Sequence, residues 1–162
     1  KNRKEAKKIL QSKEVFVNGK PVKKEELAVL PFDIIKIGNK NYELSFSDKG
    51  KFILKEIEKK ERILKVVDKK ILKNKKMQVN LIFGKNIIYD GKGKLKSGDS
   101  VVIEKNKIVK IMPVENKRVA IIFSGKYRGR EGEIEKIEGK IATLAFKNEK
   151  INVPIKNILV IR

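Results

Sequence analysis

Residues 119–137, VAIIFSGKYRGREGEIEKI, decide the fold of the C-terminal part of this chain. Apolar and small residues alternate over 119–121, as they do in a half-buried strand. Glycines follow at positions 125, 129 and 132, and apolar residues return at 134 and 137 among charged ones. The pattern predicts a strand, a loop that needs glycine backbone geometry, and a second strand.

The loop between these strands, residues 125–130 (the glycine loop), carries three cations and one aromatic ring. Cations beside a ring that can stack suit a phosphate backbone better than a metal or an acyl substrate. We therefore expect the loop to bind a polyanion, with phosphate contact favoured over simple solvation for its three cations. The candidate contacts are Gly125, Lys126, Tyr127, Arg128, Gly129 and Arg130. Gly132 is expected only to permit the turn.

Three further apolar segments follow, at residues 141–146, 151–153 and 158–161. With the two strands beside the glycine loop they make five short strands in a small stretch of chain. Such a unit closes most economically as an SH3-like barrel.

The net charge of the chain limits the classes of partner that it is expected to bind. Its 162 residues include 41 Lys plus Arg against 20 Asp plus Glu, which gives a net charge of +21. So large a charge repels itself in a compact fold and calls for a polyanionic partner. Nucleic acid is the leading candidate, with an anionic membrane surface or a merely soluble basic protein as the alternatives.

Cysteine and histidine are both absent from the sequence. Their absence removes disulfides, thiolate metal sites, and nucleophiles activated by histidine. The usual general base and the usual metal ligand are thus removed, and we expect no enzyme, no cofactor and no metal. No apolar run reaches the length of a membrane span, and no secretory signal is visible, so we expect a cytoplasmic protein without membrane attachment. Because the sequence begins at Lys1 and not at methionine, we expect a native N-terminal segment to precede it.

The N-terminal segment, residues 2–11, is predicted to form a short basic amphipathic helix. Its cations are candidates for contact with RNA phosphates, with an ordinary solvated helix face as the alternative. They are Arg3, Lys4, Lys7 and Lys8. Strands are predicted at residues 15–17, which end in an Asn-Gly turn, and at residues 33–38.

Residues 41–57 are predicted to form a hairpin that turns at Asp48-Lys49-Gly50. Its aromatic residues Tyr42, Phe46 and Phe52 are expected to pack in the core, although they could also stack on bases.

Residues 61–76 fit either a helix or β structure, and their β-branched content favours a strand followed by a basic loop. That loop is a candidate RNA contact through Lys73, Lys75 and Lys76, with a solvated turn as the alternative. Short strands are then predicted up to residue 113, typical of a small sheet or barrel. The glycines at 91 and 93 lack the Gly-Lys-Ser/Thr ending of a phosphate loop.

The helix, strand and Asn-Gly-Lys turn, followed by Asp33-Ile34-Ile35, resemble the second half of the S4-type RNA-binding domain. Phe32 stands where many members of that superfamily have glycine. The glycine-loop pattern, V-x-I-x-x-x-G-x-x-x-G-x-x-G-x-I, resembles the KOW motif of ribosomal proteins and transcription elongation factors.

The order of these parts resembles the archaeal and eukaryotic small-subunit ribosomal protein family S-four-e. The phrases VFVNGK, FDIIKI, NIIYD, KSGDSVVIE and NILVIR carry the resemblance across nearly the whole chain. By this resemblance we expect the basic N-terminal extension typical of that family to precede residue 1. The resemblance implies a mainly β protein with a small α+β N-terminal module. Its domains would be a partial S4-like module at 1–40, a central β domain at 41–115 and a KOW SH3-like barrel at 116–162.

By this resemblance the protein is a structural constituent of the small ribosomal subunit that binds and stabilises folded rRNA. It implies neighbouring ribosomal proteins as partners, a monomer when free, no small-molecule substrate, and a place in cytoplasmic ribosomes. The resemblance also adds the turn residues Asn18, Gly19 and Lys20 to the RNA contacts. A KOW factor that binds RNA or protein off the ribosome remains the main alternative. An RNA-modifying enzyme and a membrane-surface protein are weaker ones.

Overall fold

The computed structural model describes residues 2–12, 14–22, 24–58, 61–73, 76–91 and 93–162. In these residues one α-helix accompanies three five-stranded sheets. The chain divides into two units, the first made of residues 1–45 and 52–62 and the second of residues 46–51 and 63–162. The chain is mainly β with one small N-terminal helix, as the sequence predicts.

The helix of the first unit, α1 (Arg3–Gln11), confirms the predicted N-terminal helix. It begins at a capping box, in which the Asn2 side chain accepts a hydrogen bond from the Glu5 backbone N–H at 3.0 Å. The Glu5 carboxylate accepts one from the Asn2 backbone N–H at 3.3 Å. These bonds satisfy two backbone donors that the first turn leaves unpaired. Leu10 is half-buried and packs against the small core formed by Val15, Val17 and Val22.

The first sheet has the strand order β2-β1-β3-β4-β5. Its strands are β1 (Val15–Val17), β2 (Lys20–Pro21), β3 (Ile34–Ile37), β4 (Lys40–Phe46) and β5 (Phe52–Ile57). The expected domain boundary between residues 40 and 41 falls inside this sheet. The reason is that β3 pairs antiparallel with β4, with Ile34 opposite Glu43.

The aromatic residues of the predicted hairpin do not all lie in the core. Phe46 is 3% exposed, as expected of a core residue, and Tyr42 is half-buried. Phe52 is 57% exposed, so its predicted place in the core is wrong. Along β5, the edge strand, exposed and half-buried residues alternate, and Phe52 begins the exposed row.

The second unit contains the central sheet, with the order β10-β9-β6-β7-β8. Its strands are β6 (Arg62–Ile71), β7 (Met77–Leu81), β8 (Asn86–Tyr89), β9 (Ser100–Glu104) and β10 (Lys107–Met112). β6 settles the ambiguity of residues 61–76 in favour of a strand. The strand β7 ends at Leu81, because Ile82–Gly84 form a 3₁₀ turn in which Phe83 has a positive φ of 61°.

The C-terminal sheet is antiparallel, with the order β14-β13-β12-β11-β15. Its strands are β11 (Val119–Ile122), β12 (Glu131–Glu138), β13 (Ile141–Ala145), β14 (Lys150–Pro154) and β15 (Ile158–Val160). A 3₁₀ turn at Ile155–Asn157 connects β14 to β15, which form the two edges. Five short strands in this order confirm the predicted SH3-like barrel.

The central and C-terminal sheets share one hydrophobic core. Val102 and Met112 of the central sheet pack in a cluster with Ile134, Leu144 and Ile158 of the C-terminal sheet. The Ser100 hydroxyl also accepts a hydrogen bond from the Val160 backbone N–H at 2.8 Å. The domain boundary expected between residues 115 and 116 therefore separates two sheets, but these sheets share one core.

A buried lysine joins these two sheets. Lys65 is 4% exposed, and its ammonium donates hydrogen bonds to the carbonyl oxygens of Gly98 at 2.7 Å and Ile158 at 2.9 Å. Burial lowers the pKa of Lys65 to about 8, and the negative charge of Asp99 opposes that shift. The ammonium thus links β6, the turn before β9, and β15.

We expect this lysine to make stability depend on pH. Its pKa is about 8 in the folded chain against 10.5 unfolded, so the unfolded chain binds more protons between these values. The free energy of unfolding contributed by Lys65 therefore rises with pH across this window, by about 3 kcal/mol in total. Urea unfolding at pH 7 and pH 10.5 should show the difference between wild type and Lys65→Met growing by that amount. A difference that stays constant between the two pH values would contradict the assignment.

Candidate nucleic-acid interface

The predicted helix contacts are all exposed, but two of them already have a carboxylate partner. Arg3 lies 2.8 Å and Lys7 3.5 Å from the same Glu25 oxygen. The hydrogen bond with Glu25 raises the pKa of Arg3 and lowers that of Glu25. Lys4 and Lys8 form no ion pair with any described residue. These two lysines are therefore the helix cations best placed to meet a phosphate.

The predicted Asn-Gly corner is present, and the Asn18 side chain helps to build it. Asn18 and Gly19 have positive φ values of 51° and 79°, the geometry of a tight hairpin turn. The Asn18 amide donates to the Asp33 carboxylate at 2.9 Å, and its oxygen accepts from the Ile34 backbone N–H at 3.1 Å. Gly19 and Lys20 are exposed. Lys20 is thus the side chain that the corner presents outward.

A buried ion pair, which the sequence did not indicate, supports this corner. Asp33 is 3% and Arg62 9% exposed, and the two side chains form a close salt bridge. The same carboxylate accepts from the Leu30 backbone N–H at 2.9 Å, while Arg62 Nε donates to the Phe32 carbonyl at 3.2 Å. Burial lowers the pKa of Arg62, although Asp33 opposes the shift. Asp33 therefore joins the corner, the preceding turn and the start of β6.

Phe32, which replaces the glycine of many superfamily members, has a positive φ of 65° and is 2% exposed. This is the left-handed backbone region that glycine enters readily and most side chains avoid. The chain therefore keeps the backbone conformation of a glycine while placing an aromatic ring in the interior.

The predicted basic loop closes the β6–β7 hairpin. The Leu72 backbone N–H donates to the Lys76 carbonyl at 2.7 Å, and the side chains of Lys73 and Lys76 are exposed. Lys75 lies outside the described residues.

In the glycine loop the backbone forms successive turns. The Arg128 N–H donates to the Gly125 carbonyl at 3.2 Å, and the Gly129 N–H donates to the Ile122 carbonyl at 2.7 Å. Gly125 and Gly129 have φ values of 93° and 94°, which favour glycine. Lys126 is exposed, with its ammonium 5.4 Å from the centre of the Tyr127 ring. The loop therefore presents a lysine beside a ring, as predicted.

The two arginines of the loop are held by other side chains and by backbone. Arg128 Nε donates to the Gly50 carbonyl at 3.0 Å, and its guanidinium lies 5.3 Å from the centre of the Phe46 ring. Arg130 forms a 2.7 Å ion pair with Glu149 and lies 4.1 Å from the centre of the Phe146 ring. Both guanidinium groups are thus fixed in orientation before any ligand arrives.

The expectation that Gly132 permits the turn is wrong, because this residue lies within β12. A Cβ at position 132 would lie 2.9 Å from the Ala145 carbonyl oxygen and 3.0 Å from the Phe146 ring. Close approach of the neighbouring strand is therefore what requires glycine there.

Other kinds of site find no support in the described part of the chain. It contains no group of three acidic side chains that could hold a metal ion. Among its helices, none is long and apolar enough to cross a membrane.

Comparison with known proteins gives the family. The model of ribosomal family S4e, the S-four-e family named above, matches residues 38–109. The small ribosomal subunit protein eS4 of Methanospirillum hungatei is 34% identical over 143 residues, which cover 82% of this chain and 58% of that protein. The eS4 protein of Nanoarchaeum equitans is 31% identical, covering 84% of this chain and 60% of its own length. The chain belongs to ribosomal family S4e. It spans about three fifths of the length of these curated relatives.

A solved structure of an S4e member supports the fold over nearly the whole chain. The crystal structure of the 30S ribosomal protein S4e from Thermoplasma acidophilum matches with a TM-score of 0.82 and 28% identity. The match covers 98% of this chain and 85% of that one. It therefore includes the glycine loop, which lies beyond the residues matched by the family model.

We expect Asp33→Ala to destabilise the first unit strongly, because the variant leaves the Arg62 guanidinium buried without its carboxylate. Loss of one partner from a buried pair costs about 3–5 kcal/mol. Urea unfolding of the wild type and the variant measures this cost. Glu56→Ala is the matched control, since it breaks the exposed Lys40–Glu56 pair and should leave stability nearly unchanged. Equal effects of the two substitutions would contradict the role of the buried pair.

Proposed function

We propose that this chain is a structural constituent of the small ribosomal subunit that binds and stabilises folded rRNA and performs no chemistry. The observation that carries the proposal is a set of exposed lysines on a capped helix and on backbone-fixed loops in a member of family S4e. The printed names of its relatives, small ribosomal subunit protein eS4, support the same assignment.

The proposed mechanism is electrostatic recognition combined with shape. Each phosphate that a lysine or arginine neutralises releases a counterion, so affinity falls steeply as salt rises. Folded RNA is read through its backbone shape and its exposed loops, and several modules that bind one RNA surface together add to specificity. The ring and carboxylate contacts of Arg128 and Arg130 fix these side chains in advance, which reduces the entropy lost on binding.

The contacts predicted from the sequence remain part of this proposal. Free in solution the chain is a monomer, and in the cytoplasm it lies in the ribosome beside neighbouring small-subunit proteins. It takes no cofactor and no small-molecule substrate. The proposed RNA contacts are Arg3, Lys4, Lys7, Lys8, Asn18, Gly19, Lys20, Lys73, Lys75, Lys76, Gly125, Lys126, Tyr127, Arg128, Gly129 and Arg130.

The alternative of a KOW factor that binds proteins through its barrel requires an apolar patch on the barrel surface. Within residues 116–162, all of which the structure describes, Ile141 is the one large apolar side chain counted as exposed, at 39%. The barrel surface is therefore unlike a protein-docking face, and the RNA-binding function is the better supported one.

The test is binding of the chain to small-subunit rRNA and to an unrelated RNA of the same length, across a salt series. We expect preference for the rRNA to persist at physiological salt. Lys4→Ala/Lys8→Ala should weaken binding and reduce the slope of log affinity against log salt by roughly 1.5, about 0.7 to 0.9 for each phosphate contact.

The control pair is Lys105→Ala/Lys107→Ala, which removes the same charge from the turn between β9 and β10 and from the first residue of β10. Equal binding of the wild type to both RNAs at every salt concentration would overturn the proposed function. A slope lowered as much by the control pair as by the helix pair would show that net charge alone governs affinity.

A further inference from the structure

The tip of the β4–β5 hairpin, residues 47–51 (the hairpin tip), lies against the glycine loop with almost no space between them. A Cβ built on Gly129 would lie 1.9 Å from the Ser47 carbonyl oxygen. A Cβ on Gly50 would lie 3.0 Å from the Arg128 carbonyl oxygen. Each glycine thus permits the backbone of one segment to approach that of the other.

The Arg128 side chain, which belongs to the glycine loop, contacts the hairpin tip and the residue before it. Its Nε donates to the Gly50 carbonyl, and its guanidinium covers the Phe46 ring at the base of the hairpin tip. The hairpin tip itself is closed by a hydrogen bond from the Ser47 backbone N–H to the Lys51 carbonyl at 2.8 Å. The tip is therefore a defined turn held at a defined place on the loop.

Cations project from both segments. Lys49 and Lys51 of the hairpin tip and Lys126 of the glycine loop are exposed. None of the three forms an ion pair with a residue that the structure describes. A further exposed lysine, Lys147, lines a cavity of about 540 Å³ beside them. Lys147 likewise forms no ion pair with a described residue.

The cavity beside the two segments has a mixed lining. It is lined by Asp48, Arg130, Glu131, Ala145, Phe146 and Lys147. The carboxylates of Asp48 and Glu131 repel a phosphate. A phosphate backbone is therefore favoured at the exposed lysines of the two segments and disfavoured beside these carboxylates.

We propose that the hairpin tip is the second half of the RNA-binding surface of the glycine loop, with Lys49 and Lys51 contacting phosphates of the strand that Lys126 contacts. Gly129 and Arg128 position the tip for this contact. The inference rests on the proposed RNA-binding function and adds to it two contact residues and a positioning role.

A charge-neutral pair of variants tests the positioning. Gly129→Ala must displace the hairpin tip because the new Cβ meets the Ser47 carbonyl, whereas Gly125→Ala has the same backbone strain and only an Asn157 side-chain nitrogen 3.5 Å away. We expect the Gly129 variant to bind small-subunit rRNA more weakly than the Gly125 variant. We also expect faster hydrogen exchange at the Ser47 and Gly50 amides in the Gly129 variant alone. Equal affinities of the two variants would overturn the positioning role.

A second pair tests the contacts and does not depend on the Gly129 variant being folded. Lys49→Ala/Lys51→Ala should reduce the salt slope for rRNA binding by roughly 1.5, about 0.7 to 0.9 for each lysine. The control Lys105→Ala/Lys107→Ala removes two lysines with the same spacing from another hairpin turn and should reduce it less. In the Gly129→Ala background the Lys49/Lys51 substitutions should have little further effect, because the tip is already displaced.

The outcomes separate this inference from the proposed function. A wild type that does not distinguish small-subunit rRNA from the unrelated RNA refutes the function. The second outcome is a wild type that does distinguish the two RNAs. If the Lys49→Ala/Lys51→Ala variant then binds rRNA no more weakly than the Lys105→Ala/Lys107→Ala variant, only the role of the hairpin tip is refuted. Displacement of the RNA by poly-glutamate at equal charge concentration would also overturn the inference, since it would show a surface made for acidic protein.

Discussion

A net charge of +21 is the constraint to which the rest of this structure responds. Like charges on a compact body repel, so cations are tolerated where water, carbonyl groups or carboxylates surround them. In the described residues, the interior accepts a Lys or Arg at two positions, Arg62 and Lys65. Arg62 has the Asp33 carboxylate, and Lys65 has two backbone carbonyls. Arg62 and Lys65 both lie near the start of β6. Arg62 belongs to the first unit and Lys65 to the second, so one short segment of chain supplies the buried cation of each unit.

All other described cations are at least partly exposed, and this arrangement couples stability to binding. A bound polyanion lowers the mutual repulsion of the surface lysines, so a ligand that neutralises them also stabilises the fold. The exposed ion pairs, such as Lys40–Glu56, are screened by solvent and contribute little to this balance. The surface is thus better suited to a partner that supplies many phosphates than to internal pairing.

Features set by local periodicity could be predicted from the sequence. The capped helix and the strands beside the glycine loop follow from patterns within ten or so residues. The SH3-like barrel followed from counting short strands. The KOW and S-four-e resemblances supplied the rest of the architecture, because they carry information on tertiary arrangement that periodicity lacks.

Features set by distant segments could not be predicted. Membership of β4 in the first sheet depends on its pairing with β3, and the burial of Lys65 depends on carbonyls at positions 98 and 158. The glycine at position 129 indicates a turn from the sequence alone. The structure shows that glycine is also required there by the Ser47 carbonyl, which lies more than eighty positions earlier in the chain and leaves no room for a Cβ. The sequence predicts that Arg128 contacts phosphate, but it does not indicate that Arg128 Nε donates to the distant Gly50 carbonyl. In each case the decisive partner is remote in sequence.

The most direct measurement is a map of lysine acetylation rates, by mass spectrometry, on the full chain alone and bound to small-subunit rRNA. The account predicts strong protection by the RNA at Lys4, Lys8, Lys49, Lys51 and Lys126, with little change at Lys105 and Lys107. The buried Lys65 should react slowly in both states and serves as an internal standard. Uniform protection of all exposed lysines, or protection that spares the helix, the glycine loop and the hairpin tip, would contradict a defined RNA-binding surface.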